Sequence, residues 1–153
     1  MSQWIGLPDD IENVFGIVYL IRNNHPDLKN GNNQSSPRYY IGCKQLLKKT
    51  RLKANKTRKR DKIVWRDNDV ENYWGSSKEL LADILKYGPD NFTKEVIEVC
   101  NSKFHMKYSE LLWQLKCNAL MDSRFYNGII NVRLGVVPKN FVDKERDPAI
   151  LNL

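Results

Sequence analysis

From Lys44 to Lys62 the chain reads KQLLKKTRLKANKTRKRDK, ten basic residues against the single acid Asp61. That is a charge of +9 in 19 residues, which leaves −2 for the rest of a chain whose formal net charge is +7. A near-neutral body with one concentrated basic segment is a localised electrostatic footprint, and nucleic-acid phosphate is its commonest partner. Two plainer readings stand beside it. One is a solvated lysine-rich loop that serves solubility; the weaker one is an anionic membrane surface, for which the segment lacks a sustained apolar face. Glu110 is a second candidate for chemistry. It shares a stripe of helical spacing with Met106, Trp113 and Cys117, where a carboxylate needs either a salt-bridge partner or a metal. Tyr40, just upstream of the basic residues, is a third, because clustered positive charge draws a tyrosine below its usual pKa of about 10.

Other chemistries have little material. The three cysteines (Cys43, Cys100, Cys117) and two histidines (His25, His105) contain no C-x-x-C and no His pair, which argues against a structural zinc site and a His-centred triad. An odd cysteine count reads as reduced thiols and a cytoplasmic location. The opening MSQWIGLPDD has neither the basic nor the apolar region of a secretory signal. No apolar run approaches the roughly 18 residues of a membrane span. With 41% hydrophobic, 28% charged and 10% aromatic residues, the composition is that of a folded domain with a core of its own.

These residues need elements to position them. Phe15 to Ile21 (FGIVYLI) is a continuous apolar run that reads as a buried strand. Residues 23–37 are dense in Asn, Gly, Ser and Pro and read as loop. Arg38 to Cys43 is a second strand, antiparallel to the first, and Leu46-Leu47 opens the basic segment with helical character. Ser76-Ser77-Lys78-Glu79 predicts a capping box with Ser76 as N-cap of a helix Ser77–Tyr87, which Gly88-Pro89 stops. Phe92 to Cys100 is a third strand, and Lys103 to Leu120 has helical periodicity. Trp65, Trp74 and Trp113 read as core anchors, His25 as a solvated loop residue, and Asn127-Gly128 as a left-handed turn. The expectation is one α+β domain over 1–135, with a small, mostly antiparallel three-stranded sheet flanked by helices. A basic insertion at 44–62 follows the second strand, and a polar tail (136–153) wraps loosely over the surface.

At this point a resemblance emerges. Gly16-Ile17-Val18-Tyr19 followed by Tyr40-Ile41-Gly42 resembles the paired signature of the GIY-YIG nucleases. GSSKELLADILKYGPDNF (Gly75–Phe92) is similar to that family's central helix and its turn into the third strand. Glu110 stands where the family carries a metal-binding glutamate, and Tyr126-Asn127 resembles the asparagine that closes the motif set. The likeness runs from about Phe15 to Val132. The first signature is offset by one residue, so Tyr19 aligns with the family tyrosine across an extra valine.

The resemblance implies a metal-dependent endonuclease that hydrolyses phosphodiester bonds in DNA. Tyr19 and Tyr40 would act as base or water-positioning groups, and Glu110 would hold one Mg²⁺ or Mn²⁺ ion. Asn127 would take a supporting role. The family's catalytic arginine falls within the basic segment; Arg51 is nearest in spacing, with Lys44, Lys48, Lys49 and Arg66 as rivals. Without a separate DNA-binding module, Lys44, Lys48, Lys49, Lys53, Lys56, Arg58, Lys59 and Arg60 are the expected phosphate contacts. Compact chains of this type resemble stand-alone, phage-encoded or homing nucleases, and cutting both strands would call for a homodimer or two visits. The alternative is a catalytically inactive nucleic-acid-binding protein on the same scaffold.

Overall fold

The computed structural model describes residues 4–11, 13–28 and 35–153. Part of the Asn-rich loop, 29–34, lies outside the described residues. Six strands and two α-helices follow in the order β1 (Trp4–Ile5), β2 (Gly16–Asn23), β3 (Arg38–Gln45), β4 (Leu47–Leu52), β5 (Lys62–Asp67), α1 (Lys78–Tyr87), β6 (Phe92–Cys100) and α2 (Lys103–Lys116). Single 3-10 turns sit at Pro89–Asn91 and Pro148–Leu151. Among the described residues no helix is long and apolar enough to cross a membrane.

The main sheet has the order β1-β6-β2-β3. β2 is antiparallel to both neighbours, pairing Tyr19 with Gly42 on one side and with Val96 on the other. The expected three antiparallel strands are therefore present, and the sheet gains a fourth. β1 pairs with β6 in parallel, Trp4 opposite Lys94, so the chain's opening is an edge strand too short for any periodicity to show.

The sheet is covered on both faces, which explains why β2 is a continuous apolar run instead of an alternating one. Val18, Leu20, Tyr39 and Ile41 pack on Met106 and Trp113 of α2, together with Phe125 and Leu151. Ile17, Tyr19 and Ile21 face the other way, toward Trp4, Val70 and Leu80 of α1. Gly16 has no room for a side chain, because a Cβ there would meet Met106 Sδ at 2.5 Å and Lys44 O at 2.8 Å. The glycine of the offset signature is thus a packing requirement between β2, β3 and α2.

Several expectations are corrected. The basic segment is not incipient helix; Leu46 is buried in the core, and β4 and β5 form a separate two-stranded antiparallel ribbon. The sequence signal was the partner run Ile63-Val64-Trp65, whose residue types favour strands. The N-cap of α1 is Ser77, whose hydroxyl accepts from Leu80 N at 3.3 Å. Ser76 does not close a capping box, because Glu79 turns instead to Arg38 at 2.7 Å. α2 ends at Lys116, and Asn118 in left-handed conformation (φ 53°) prevents its running on to Leu120.

A further correction is the tail, which is docked. Arg146 is buried and pairs with Glu98 of β6, Nε to Oε1 at 2.8 Å and a second nitrogen to Oε2 at 3.1 Å. Leu151 enters the core, and Arg22 donates to the carbonyls of Leu151 and Asn152. His25, read as solvated, stacks on Tyr87 with ring centroids 4.4 Å apart. Trp65, read as a core anchor, is 56% exposed on the ribbon.

Candidate active site

β3 is the outer strand of the sheet, and its edge is closed by the segment that follows α2. Tyr39 N donates to Arg124 O at 2.8 Å, and Tyr126 N donates to Tyr39 O at 2.7 Å. One residue further on, the Asn127 side chain continues the ladder in place of backbone. Its Oδ1 accepts from Ile41 N at 3.0 Å and its Nδ2 donates to Ile41 O at 2.8 Å. Asn127 is buried and has no positive φ, so the turn reading gives way to a clamp on the Tyr40-Ile41-Gly42 strand. Gln114 Nε2 of α2 donates to the same Ile41 carbonyl at 3.1 Å.

Where this edge closure ends, a cleft of about 450 Å³ opens, walled by Tyr40, Lys107, Glu110, Gln114 and Asn127 with Ser76 and Lys78 at the start of α1. Tyr40 reaches it from the α1 face of the sheet and Glu110 from the α2 face. The cleft therefore joins residues 70 positions apart in sequence around one strand edge.

The two signature tyrosines have different environments. Tyr19 is 1% exposed; burial, then the neighbouring Tyr40 and Tyr73, push its hydroxyl well above the ordinary tyrosine pKa. It is a neutral group that packs, 6.1 Å from the Tyr40 ring and 6.1 Å edge-on to Tyr73. Tyr40 is half-buried, with its hydroxyl 3.4 Å from Ser76 Oγ. Gly42 makes this pairing possible. A Cβ there would lie 2.5 Å from the Tyr19 hydroxyl and 2.9 Å from the Tyr40 ring. Gly75, with φ +87°, approaches the Tyr40 ring from the other side, where a Cβ would sit at 2.8 Å.

Glu110 Oε2 accepts from the Cys43 thiol at 3.2 Å and lies 3.8 Å from Lys107 Nζ. Burial, then the Glu110 charge, push the Cys43 thiol up to about 12, so it is a neutral donor. Burial draws the Lys107 ammonium down, but Cys43 and Glu110 outweigh it and hold its pKa above the usual lysine value. Among the described residues the salt-bridge reading of Glu110 is thus met by a longer contact to a residue of its own helix.

One atom in this wall is unaccounted for. Gln114 Oε1 is buried with no hydrogen-bond partner among the described residues. An orphaned buried oxygen costs about 1–3 kcal/mol. Gln114 itself stands one turn from Glu110 and lines the same cleft, where a divalent cation on a single carboxylate would keep several of its waters.

A second Glu/Cys/His group, Glu98, Cys100 and His105, has donor atoms within 4.8 Å of one another. The Glu98 carboxylate of this group is instead paired with the Arg146 guanidinium. Glu98 also accepts from Ser109 Oγ (2.6 Å) and Trp113 Nε1 (3.0 Å), and lies 2.8 Å from His105 Nε2. Burial favours protonation, but the hydrogen bonds from Arg146, Ser109, Trp113 and His105 overcome it and hold Glu98 down at about 2. This is a structural hub that fixes α2, and with it Glu110, against β6.

Tyr40, Glu110 and Asn127 therefore share one cleft wall, with Tyr19 packed behind Tyr40. Arg51 is not brought there; it sits on β4, exposed and paired with Asp61 at 2.7 Å. Lys44 lies over the Tyr73 ring, 4.0 Å from its centroid. Lys48, Lys49, Lys53, Lys56, Lys59 and Arg60 are exposed on the ribbon and its connecting loop. Arg58 is half-buried and spends its guanidinium on the carbonyls of Lys53 (2.6 Å) and Arg60 (3.1 Å). Sequence reasoning missed Lys107 and Gln114, although both stand at helical spacing from Glu110. It also missed Lys78, Ser76 and Tyr73, for which no spacing signal existed.

A family model described as "Putative endonuclease segE, GIY-YIG domain" matches residues 4–130. Neither the curated proteins nor the solved structures contain a match. With the motif residues gathered at one cleft and the family model covering most of its length, the chain belongs to the GIY-YIG nuclease family.

Proposed function

We propose that the cleft hydrolyses phosphodiester bonds in DNA, with a divalent cation, Mg²⁺ or Mn²⁺, that Glu110 would hold. The observation that carries this reading is the meeting of Tyr40, Glu110, Lys107 and Gln114 in one cleft. Such a cation, when bound, polarises the scissile phosphate and its waters. Tyr40 is the group that orients the attacking water through its hydroxyl. Tyr19, kept neutral by burial, fixes the Tyr40 ring. The charge-stabilising role that spacing gave to Arg51 falls in this reading to Lys107 and Lys78, because both line the cleft. Asn127 holds the strand edge on which Tyr40 is mounted. The exposed cations of the ribbon supply phosphate contacts for a substrate too large to enter the cleft whole.

The test is plasmid cleavage with Mg²⁺ or Mn²⁺, with and without EDTA. Tyr40→Phe and Glu110→Ala are each expected to lower cleavage at least about 100-fold, with wild-type circular dichroism. Wild-type-like cleavage by either purified variant refutes the assignment. DNA binding without cleavage by the parent protein selects the inactive-binder alternative.

A further inference from the structure

The β4–β5 ribbon carries a feature that phosphate binding does not use. The register pairs Lys49 with Trp65 and Arg51 with Ile63. Because strand side chains alternate, these four residues share one face. Trp65 is 56% and Ile63 52% exposed. The other tryptophans are buried or half-buried. Exposing a large aromatic and an isoleucine on a segment rich in lysine has no folding advantage. Beside Trp65 lies a hollow of about 480 Å³ bounded by Val14, Phe15 and Leu47 with Asn13 and Asn101.

We propose that this ribbon enters the major groove of duplex DNA and that the Trp65–Ile63 face reads base edges, making the ribbon the source of sequence preference. The proposal rests on the DNA reading above and extends it from where the phosphates are gripped to how a site is chosen. Three arguments support it. A two-stranded β-ribbon is one of the shapes the major groove admits. The cations of the connecting loop (Lys53, Lys56, Lys59, Arg60) are complementary to the flanking phosphates. The ribbon also starts from the end of β3. Tyr40 and Leu47 are joined by at most about 23 Å of extended chain, shorter than the roughly 34 Å of one duplex turn, so cleft and ribbon can engage the same site. Apolar and aromatic side chains on such a face discriminate bases by contact with the thymine methyl and neighbouring edges.

The experiment is enrichment of preferred sites from a pool of random duplexes by the full chain, followed by titration of the enriched and a scrambled duplex at several salt concentrations. Tryptophan emission is recorded in parallel. Trp65→Ala and Ile63→Thr are each expected to weaken the enriched site about 10-fold or more while changing the scrambled duplex by less than about 3-fold. Their salt slopes should stay parental, since no phosphate contact is removed. Because Trp65 also borders the hollow, Ile63→Thr serves as the variant that keeps that border intact. Enriched duplex should shift Trp emission in the parent and not in Trp65→Ala. The proposal is overturned if both variants retain the parental preference, if no site is enriched, or if emission is indifferent to DNA while cleavage persists. Failure of the parent to bind any duplex instead refutes the DNA reading on which the proposal stands.

Discussion

Replacing Arg146 with methionine should destabilise the protein and change how its stability responds to acid. Glu98 is 3% exposed and receives two hydrogen bonds from the Arg146 guanidinium. With its pKa near 2 against an ordinary 4.5, the ionised carboxylate contributes on the order of 3 kcal/mol to folding. A carboxylate whose folded pKa is depressed stabilises fully above its unfolded pKa and loses that contribution as pH falls toward the folded one. The window therefore runs from about pH 5 down to about pH 2. Removing the arginine leaves a buried carboxylate without its main counter-charge, which costs about 3–5 kcal/mol near neutral pH. Urea unfolding of parent and Arg146→Met at pH 7 and pH 3 measures both effects. The parent should lose stability between these pH values, and the variant, which has already lost the Glu98 contribution, should lose less. Glu98→Gln combined with Arg146→Met should recover part of the loss, since no charge then remains buried. Equal midpoints at pH 7, or parallel pH profiles, would refute the hub. Because Ser109 and Trp113 of α2 bind the same carboxylate, cleavage by Arg146→Met should also fall, through misplacement of Glu110.

Gly42→Ala should cost about 1–3 kcal/mol in denaturant unfolding and lower plasmid cleavage by about 100-fold, because its methyl group would occupy the space of the Tyr19 hydroxyl; unchanged values for both would show that the tyrosine pair is not held there. Ser77→Ala should lower stability by about 1 kcal/mol, whereas Ser76→Ala should leave the unfolding midpoint unchanged, and a reversed order would restore the capping box. Changing Lys56, Lys59 and Arg60 together to Gln should flatten the slope of log K against log salt by about 3, with little effect on melting since all three are exposed; a parental slope would make the loop mere solvated surface.

Elements with a periodic or capped pattern could be read in the sequence: β6 and the start of α2 stand where their patterns put them, β3 runs two residues past its predicted end, and β2 starts one residue later and ends two residues later than predicted. What could not be read was set by partners far away in the chain. Glu98 looks like any strand carboxylate until Arg146 arrives from 48 residues downstream. The ribbon was obscured because half of its first strand is charged, and only its pairing with Ile63-Val64-Trp65 makes it β. The cleft residues divide in the same way. Glu110, Tyr40 and Asn127 were found by motif position, and the Asn127 clamp explains why that asparagine belongs to the motif. Lys107 and Gln114 could have been found by following the Glu110 face of α2 one turn each way.

An outer strand with free N–H and C=O groups is a hazard that proteins cover or blunt, and here the covering also builds the site. Between Tyr39 and Ile41 the edge of β3 is satisfied by the backbone of Arg124 and Tyr126, by the Asn127 amide and by Gln114. Tyr126 ties this cover to the rest of the fold. Its hydroxyl donates to Asp83 of α1 at 2.7 Å and accepts from Asn23 of β2 at 2.9 Å, and Arg38 lies over its ring at 3.9 Å. The groups that close the edge thus fix α1, α2 and β3 relative to one another, and the cleft is the space left where the three converge. Tyr40 and Glu110 can line one cleft from opposite sides of the sheet because, beyond Tyr39, that edge is sealed by side-chain amides and, among the described residues, no further strand runs alongside it. An added strand would satisfy the same hydrogen bonds and fill the cleft.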